Sequence, residues 1–197
     1  QTEVWSLNAA SGGTWTKRGG AAPLSTSNYH HLVYFKKFDR LYVRDTIDTI
    51  RSFNTSYTLT AVPAVDYSLG LGTNGQQQIL AIKATGDSIW IGTGALTNLV
   101  EKGRIYQWDG ISAQPSSEYV LNANACVALC VLNNVPYAMD SDGKLLRFTG
   151  SSFEEVARLP SNNLSSVNNY INEGLLHPNG LIPTRDGTIL ALINNIK

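Results

Sequence analysis

Excess charge, long apolar runs and cysteine are all scarce in this chain, and each shortage closes off a class of function. Fifteen Lys plus Arg balance 15 Asp plus Glu, for a formal net charge of zero. No overall positive field exists to hold a polyanion by counterion release, so nucleic acid and anionic membrane surfaces are not expected as primary partners. No apolar run approaches the roughly 20 residues that a helix needs to cross a bilayer. Nor does a charged segment followed by an apolar stretch open the chain, and the expectation is a soluble protein without membrane insertion. Helix signals are also sparse. Only the segment 162–176, with Val167, Ile171 and Leu175 at four-residue spacing, reads as either one short helix or an ordered loop.

There are two cysteines, Cys126 and Cys130, in the apolar run Ala125–Val131. Four residues along a strand span about 13 Å, whereas the Cα atoms of a disulfide pair lie within about 7 Å. Two free thiols are therefore expected, packed as small hydrophobes beside Ala128 on one strand face. Among the three histidines, His30 and His31 are neighbours and would point to opposite faces of a strand, which disfavours a shared metal. The chain also shows no Gly-x-Ser-x-Gly elbow, phosphate loop or zinc spacing.

What the sequence does have is a repeat. Asp39–Val43, Asp87–Ile91, Asn134–Ala138 and Gly187–Ala191 share one pattern, and their central residues Tyr42, Trp90, Tyr137 and Leu190 are 48, 47 and 53 positions apart. That period predicts an all-β propeller of four-stranded blades, here about four. Each repeat supplies strand candidates: first strands at 31–35, 78–82, 127–131 and 180–182, then the marker itself. Third strands follow at 50–53, 105–108 and 145–148, and fourth strands at 57–60, 118–121 and 153–157. Val4–Leu7 and Trp15–Lys17 read as the third and fourth strands of a blade whose first two lie near the C-terminus. The expected blade parts are 1–18, 30–63, 77–123, 124–160 and 178–197, within a single domain. Either the terminal strands complete one blade or the chain is a segment of a larger propeller.

Ile89–Thr93, followed by Gly103–Gly110, resembles the repeat of bacterial sensor-type propellers, in which an Ile-Trp-Ile-Gly-Thr strand precedes a Gly-x-Ile-x-Arg-Tyr-Asp strand. Asp142–Phe153 looks like the same hairpin. The resemblance implies architecture more than function, because such repeats serve sensors, lectins, phage structural proteins and enzymes alike. His177–Gly180 resembles the His-Pro-Asn-Gly segment of lactonase-like propellers, whose calcium site would carry over only to Asn179. A calcium-dependent hydrolase and an extracellular ligand sensor are thus the alternative functions.

The leading expectation is a non-catalytic binding or structural module with no required cofactor, calcium being the one candidate. Its partner would be a protein or glycan, in an extracellular, cell-surface or virion-associated setting, with homo-oligomers or larger assemblies as an option. Binding residues concentrate on loops held by a rigid scaffold. The long connections 44–49, 65–76, 93–102, 141–143 and 160–179 point to Asp45, Asp66, Tyr67, Asn98, Glu101 and Lys102 as candidate contacts, against the alternative that they are solvated loops. Asp140–Gly143 starts like a calcium loop but also reads as an Asp-Gly hairpin turn. Asn54 and Asn163 sit in N-glycosylation tripeptides. Trp90, Tyr106, Trp108 and Tyr137 suit either a sugar platform or blade packing, with strand positions favouring packing.

Overall fold

In the computed structural model, residues 4–7, 15–18, 31–44, 49–54, 66–68, 77–95, 101–159 and 176–193 are described. An N-terminal hairpin joins β1 (Val4–Leu7) to β2 (Trp15–Arg18). Blade one contains β3 (Leu32–Phe35), β4 (Arg40–Arg44), β5 (Thr49–Asn54) and β6 (Asp66–Ser68). Blade two contains β7 (Gln77–Ala84), β8 (Ile89–Ala95), β9 (Arg104–Trp108) and β10 (Ser117–Val120). Blade three contains β11 (Cys126–Leu132), β12 (Val135–Asp140), β13 (Lys144–Phe148) and β14 (Phe153–Arg158). Finally, β15 (Leu176–Pro183) pairs with β16 (Ile189–Ile193). Within every sheet each strand is antiparallel to its sequence neighbour. First strands pack successively on one another, β3 on β7, β7 on β11 and β11 on β15. Sheets that meander outward from a shared inner ring of strands form a β-propeller.

Burial explains why the inner strands read as continuous apolar runs. A blade is covered on both faces by its neighbours, so Ile89, Trp90 and Ile91 of β8 are all buried, as are Cys126 to Cys130 of β11. At the rim, β14 is mostly exposed. Three apolar layers separate the sheets. Phe35, Tyr42, Ile50, Ile79, Ile82, Ile91 and Trp108 fill the space between blades one and two. Trp90, Ile105, Leu121, Cys126, Leu129 and Leu146 fill the next, and Val127, Ala128, Cys130, Met139 and Leu181 the third.

The marker aromatics act as knobs. Tyr42 packs edge-on against Trp108 of the following blade, with ring centroids 5.6 Å apart at 85°, and its hydroxyl donates to the Gly110 carbonyl at 2.7 Å. Gly110 has φ +89, and an added Cβ would come within 3.1 Å of Phe35, so both its backbone and its surroundings require glycine. One repeat later, Trp90 packs on Phe148 at 4.8 Å and Phe153 at 5.8 Å, the facing pair of the third-to-fourth-strand hairpin of blade three. At the turn end of the same blades, the Gly86 N–H donates to Asn134 Oδ1 at 2.7 Å. Asn133 and Asn134, with φ of 52 and 64, close their hairpin in the left-handed conformation that a tight two-residue turn needs.

Several expectations change. An extra residue, Leu80, interrupts pairing between Ile79 and Ala81, and Val127 does the same between Cys126 and Ala128, 47 positions later. Such a bulge reverses which residues share a face. Cys126 therefore joins Leu129 on the side of blade two, while Cys130 and Ala128 face Leu181; the thiols are free, but not on one face as expected. The fourth strand of blade one lies at Asp66–Ser68, whereas the expected 57–60 lies outside the described residues. His177–Gly180 forms part of β15, where pairing jumps from Leu176 opposite Ile193 to Leu181 opposite Ala191. The expected helix or loop at 162–176 lies outside the described residues except for Leu176, which opens β15. Among the described residues, β1–β2 and β15–β16 form separate two-stranded sheets.

Candidate functional site

The sequence pointed to connections on the face where second strands lead to third strands and blades join. In blade two this rim is built around Gln77, the first residue of β7, which is fully buried. A buried amide must spend its hydrogen-bonding groups on protein. The Gln77 Nε2 donates to the Lys102 carbonyl at 2.9 Å and to Glu101 Oε2 at 3.2 Å, and its Oε1 accepts from the buried Thr93 hydroxyl at 2.6 Å. Lys102 Nζ in turn donates to the Asn122 carbonyl at 2.6 Å. The next residue completes the fastening: the Gly103 N–H donates to the Ala123 carbonyl at 2.8 Å, and the Leu121 N–H to the Gly103 carbonyl at 2.9 Å. A Cβ on Gly103 would lie 2.5 Å from the Ala125 Cα, so the backbones of the stem and of the blade linker touch in a way only glycine allows.

Beside this clamp, blades two and three part to leave a cleft of about 290 Å³. Val120 and Asn122 line one wall, with Asp140, Lys144, Phe153 and Glu155 on the other. Asp140 is only 2% exposed, and its Oδ1 accepts the N–H groups of Asp142 and Lys144, both at 2.9 Å. Burial is the largest influence on its carboxyl and, with the nearby Asp142 charge, raises its pKa above the usual carboxylate range against those N–H donors. The Gly143 N–H also bonds the Asp140 carbonyl at 3.1 Å. Asp140–Gly143 is thus a hairpin turn closed by its own carboxylate. Lys144 stands 3.6 Å from Asp142, and Glu155 holds Arg158 through two bonds of 3.0 and 3.1 Å. Among the described residues, no group of three or more His, Cys, Asp or Glu is arranged to hold a metal ion.

The four described candidate contacts fall in two places. Glu101 and Lys102 meet at the Gln77 clamp. Asp66 and Tyr67 sit in β6, the outer edge of blade one, opposite Arg51 and Ile50, and so are on a strand instead of the expected connection. Asp45 and Asn98 lie outside the described residues, as does Asn163, whereas Asn54 ends β5 opposite Arg40. His30 is likewise outside them, and His31 is buried with its carbonyl accepting the Arg44 N–H at 2.9 Å. Trp90, Tyr106 and Trp108 are buried between blades, which makes them packing residues and not a sugar platform. Sequence reasoning missed Gln77, Thr93 and Gly103. A polar residue at the head of an apolar inner strand was the available signal for Gln77.

No protein-family model matches the chain, and no curated protein matches it either. Among solved structures, the crystal structure of the RRP9 WD40 repeats superposes with a TM-score of 0.45 at 9% identity, over 68% of this chain and 42% of that one. The chain therefore spans less than half the length of that structure. The computationally designed Ika4 protein gives a TM-score of 0.43 at 14% identity, over 88% of this chain and 99% of that one. The propeller architecture rests on the chain's own sheets and the order in which they pack.

Proposed function

We propose that the chain is a non-catalytic interaction module whose rim, at blades two and three, holds polar groups out to a protein or glycan. The observation that carries this reading is the Gln77 clamp, which fixes both the stem at Glu101–Gly103 and, through Asn122 and Ala123, the linker to the next blade. A surface fixed before contact loses little conformational freedom on binding. The neighbouring cleft offers a cation, carboxylates, an amide and apolar side chains, a mixture suited to a partner with both polar and apolar groups. The reading extends to an extracellular, cell-surface or virion setting and to a larger assembly, which the Asn-, Ser- and Thr-rich sequence favours. The Ile89–Gly110 segment supports a repeat of the bacterial sensor type.

The test is a glycan array together with copurification of bound proteins, using the parent chain and alanine variants. Lys144→Ala and Glu155→Ala should weaken capture of whatever the parent retains, while Asp109→Ala on the opposite face should leave it intact. The reverse pattern moves the binding face. A parent chain that retains nothing, but binds stoichiometric calcium and hydrolyses a lactone or ester, replaces the module with the enzyme alternative.

A further inference from the structure

We propose that the cleft between blades two and three receives an arginine side chain presented by a protein partner, with Asp140 as its counter-charge. The proposal rests on the reading of this rim as an interaction surface and names the group that it recognises. Asp140 ends β12 as a buried residue, and its Oδ1 is spent on the Asp142 and Lys144 N–H groups. Among the described residues its Oδ2 has no hydrogen-bond partner, yet that oxygen is not fully enclosed, and the residue lines the cleft. The turn uses one acceptor oxygen, which asparagine would supply equally well. The charge and the second oxygen are left over for a ligand.

The neighbouring cations are already engaged. Lys144 Nζ stands 3.6 Å from Asp142 Oδ2, and Arg158 is held by Glu155 at 3.0 and 3.1 Å. Of the carboxylates around the cleft, Asp140, Asp142 and Glu155, only Asp140 lacks an ion pair among the described residues. A buried charge with no opposite charge is costly, and burial together with the Asp142 charge disfavours this carboxylate. A sugar hydroxyl would satisfy Oδ2 and leave the charge unanswered; a cation does both. The walls suit the rest of an arginine. Val120 is 61% exposed, with Leu146 and Phe153 also lining the cleft, so an aliphatic stem would be covered while its head meets Asp140. The guanidinium fork has donors enough for Oδ2 and a second acceptor on the walls, such as Asn122 or Glu155, whereas a lysine ammonium is a point charge.

The test is a titration of the isotope-labelled full chain with N-acetylarginine methylamide at pH 7, read by amide chemical shifts. Saturable shifts should centre on the amides of Val120 to Asn122 and Asp140 to Lys144, and the neutral citrulline analogue at the same concentrations should give none. Asp140→Asn keeps the acceptor for the turn, and its own amide spectrum shows whether it folds. It should weaken the arginine probe by roughly tenfold or more, the loss of one charge-assisted hydrogen bond. Val120→Trp fills the cleft from an exposed position, leaves Asp140 in place and should also block the probe. Equal binding of arginine and citrulline overturns the proposal, as does a probe that does not bind or one that binds the folded Asp140→Asn chain unchanged. A saccharide that shifts the same amides while the arginine probe does not gives the cleft to a sugar instead. The wider reading fails separately. If Lys144→Ala and Glu155→Ala weaken capture of a partner but Asp140→Asn does not, the rim remains an interaction surface and only the arginine assignment falls; if none of the three matters, both fall.

Discussion

The Tyr42 hydroxyl reaches 68 positions along the sequence to donate to the Gly110 carbonyl at 2.7 Å, joining the second strand of blade one to the outer turn of blade two. It is a buried bond between blades. Tyr42→Phe keeps the ring against Trp108 and removes only the donor, leaving the carbonyl without its partner. A loss of about 1–3 kcal/mol is expected, read as a lower urea midpoint with unchanged circular dichroism. Trp90→Ala removes a whole knob and should cost roughly 3–5 kcal/mol.

Gln77→Leu should separate rim order from core stability. The substitution leaves the Thr93 hydroxyl only its longer bond to the Arg104 carbonyl, 3.3 Å, strands the Lys102 carbonyl, and should cost on the order of 1–3 kcal/mol. Proteolysis should then cut between β8 and β9 faster than in the parent, while the amides of β11 keep their protection. Equal loosening of both would mean that Gln77 matters only as core filling.

The two thiols should resist reagents while the chain is folded. Burial raises both, with the Asp140 charge adding to the effect at Cys126, and Cys130 is pushed up to about 11 despite Lys83 nearby. A thiol needs its thiolate to react. Iodoacetamide at pH 8 should therefore label neither at an appreciable rate until guanidinium exposes both, and rapid labelling of Cys130 in the native chain would contradict its burial.

Asp140 gives a pH dependence of known sign. Its carboxyl is raised in the fold, so its contribution is fully present below the ordinary carboxylate range and is lost as pH rises through the folded value. Asp140→Asn keeps an Oδ1 acceptor for the Asp142 and Lys144 N–H groups and removes the charge. The stability of variant minus parent should therefore increase from pH 3 to pH 7, measured by urea midpoints; a difference that falls over this range would give the carboxylate a stabilising partner instead.

Repeat period and alternation made the blades legible, because a strand covered on both faces has few options but apolar residues. Fifteen of the described strands fall where the spacing placed them in outline, from Val4–Leu7 to Ile189–Ile193. The bulges were not legible, since Ile79–Leu80–Ala81 and Cys126–Val127–Ala128 contain nothing but ordinary apolar residues. That is why the two thiols were assigned to one face. The candidate site was read only in part: Glu101 and Lys102 stood out as charges in a long connection, but their anchor Gln77 precedes them by more than twenty positions and looks like any strand-opening polar residue. The fourth strand of blade one escaped because Tyr57–Thr60 alternates as well as Asp66–Ser68 does.

The fall in burial from β11 at the hub to β14 at the rim also sets an order of opening. Local unfolding is governed by how much covered surface each segment must expose. Amide hydrogen exchange should therefore run centripetally, with Glu154 to Arg158 exchanging through small peripheral excursions and Ala128 to Cys130 only when neighbouring blades separate. The circumference can then breathe while the axle, with the Gln77 clamp fastened at the head of β7, stays still.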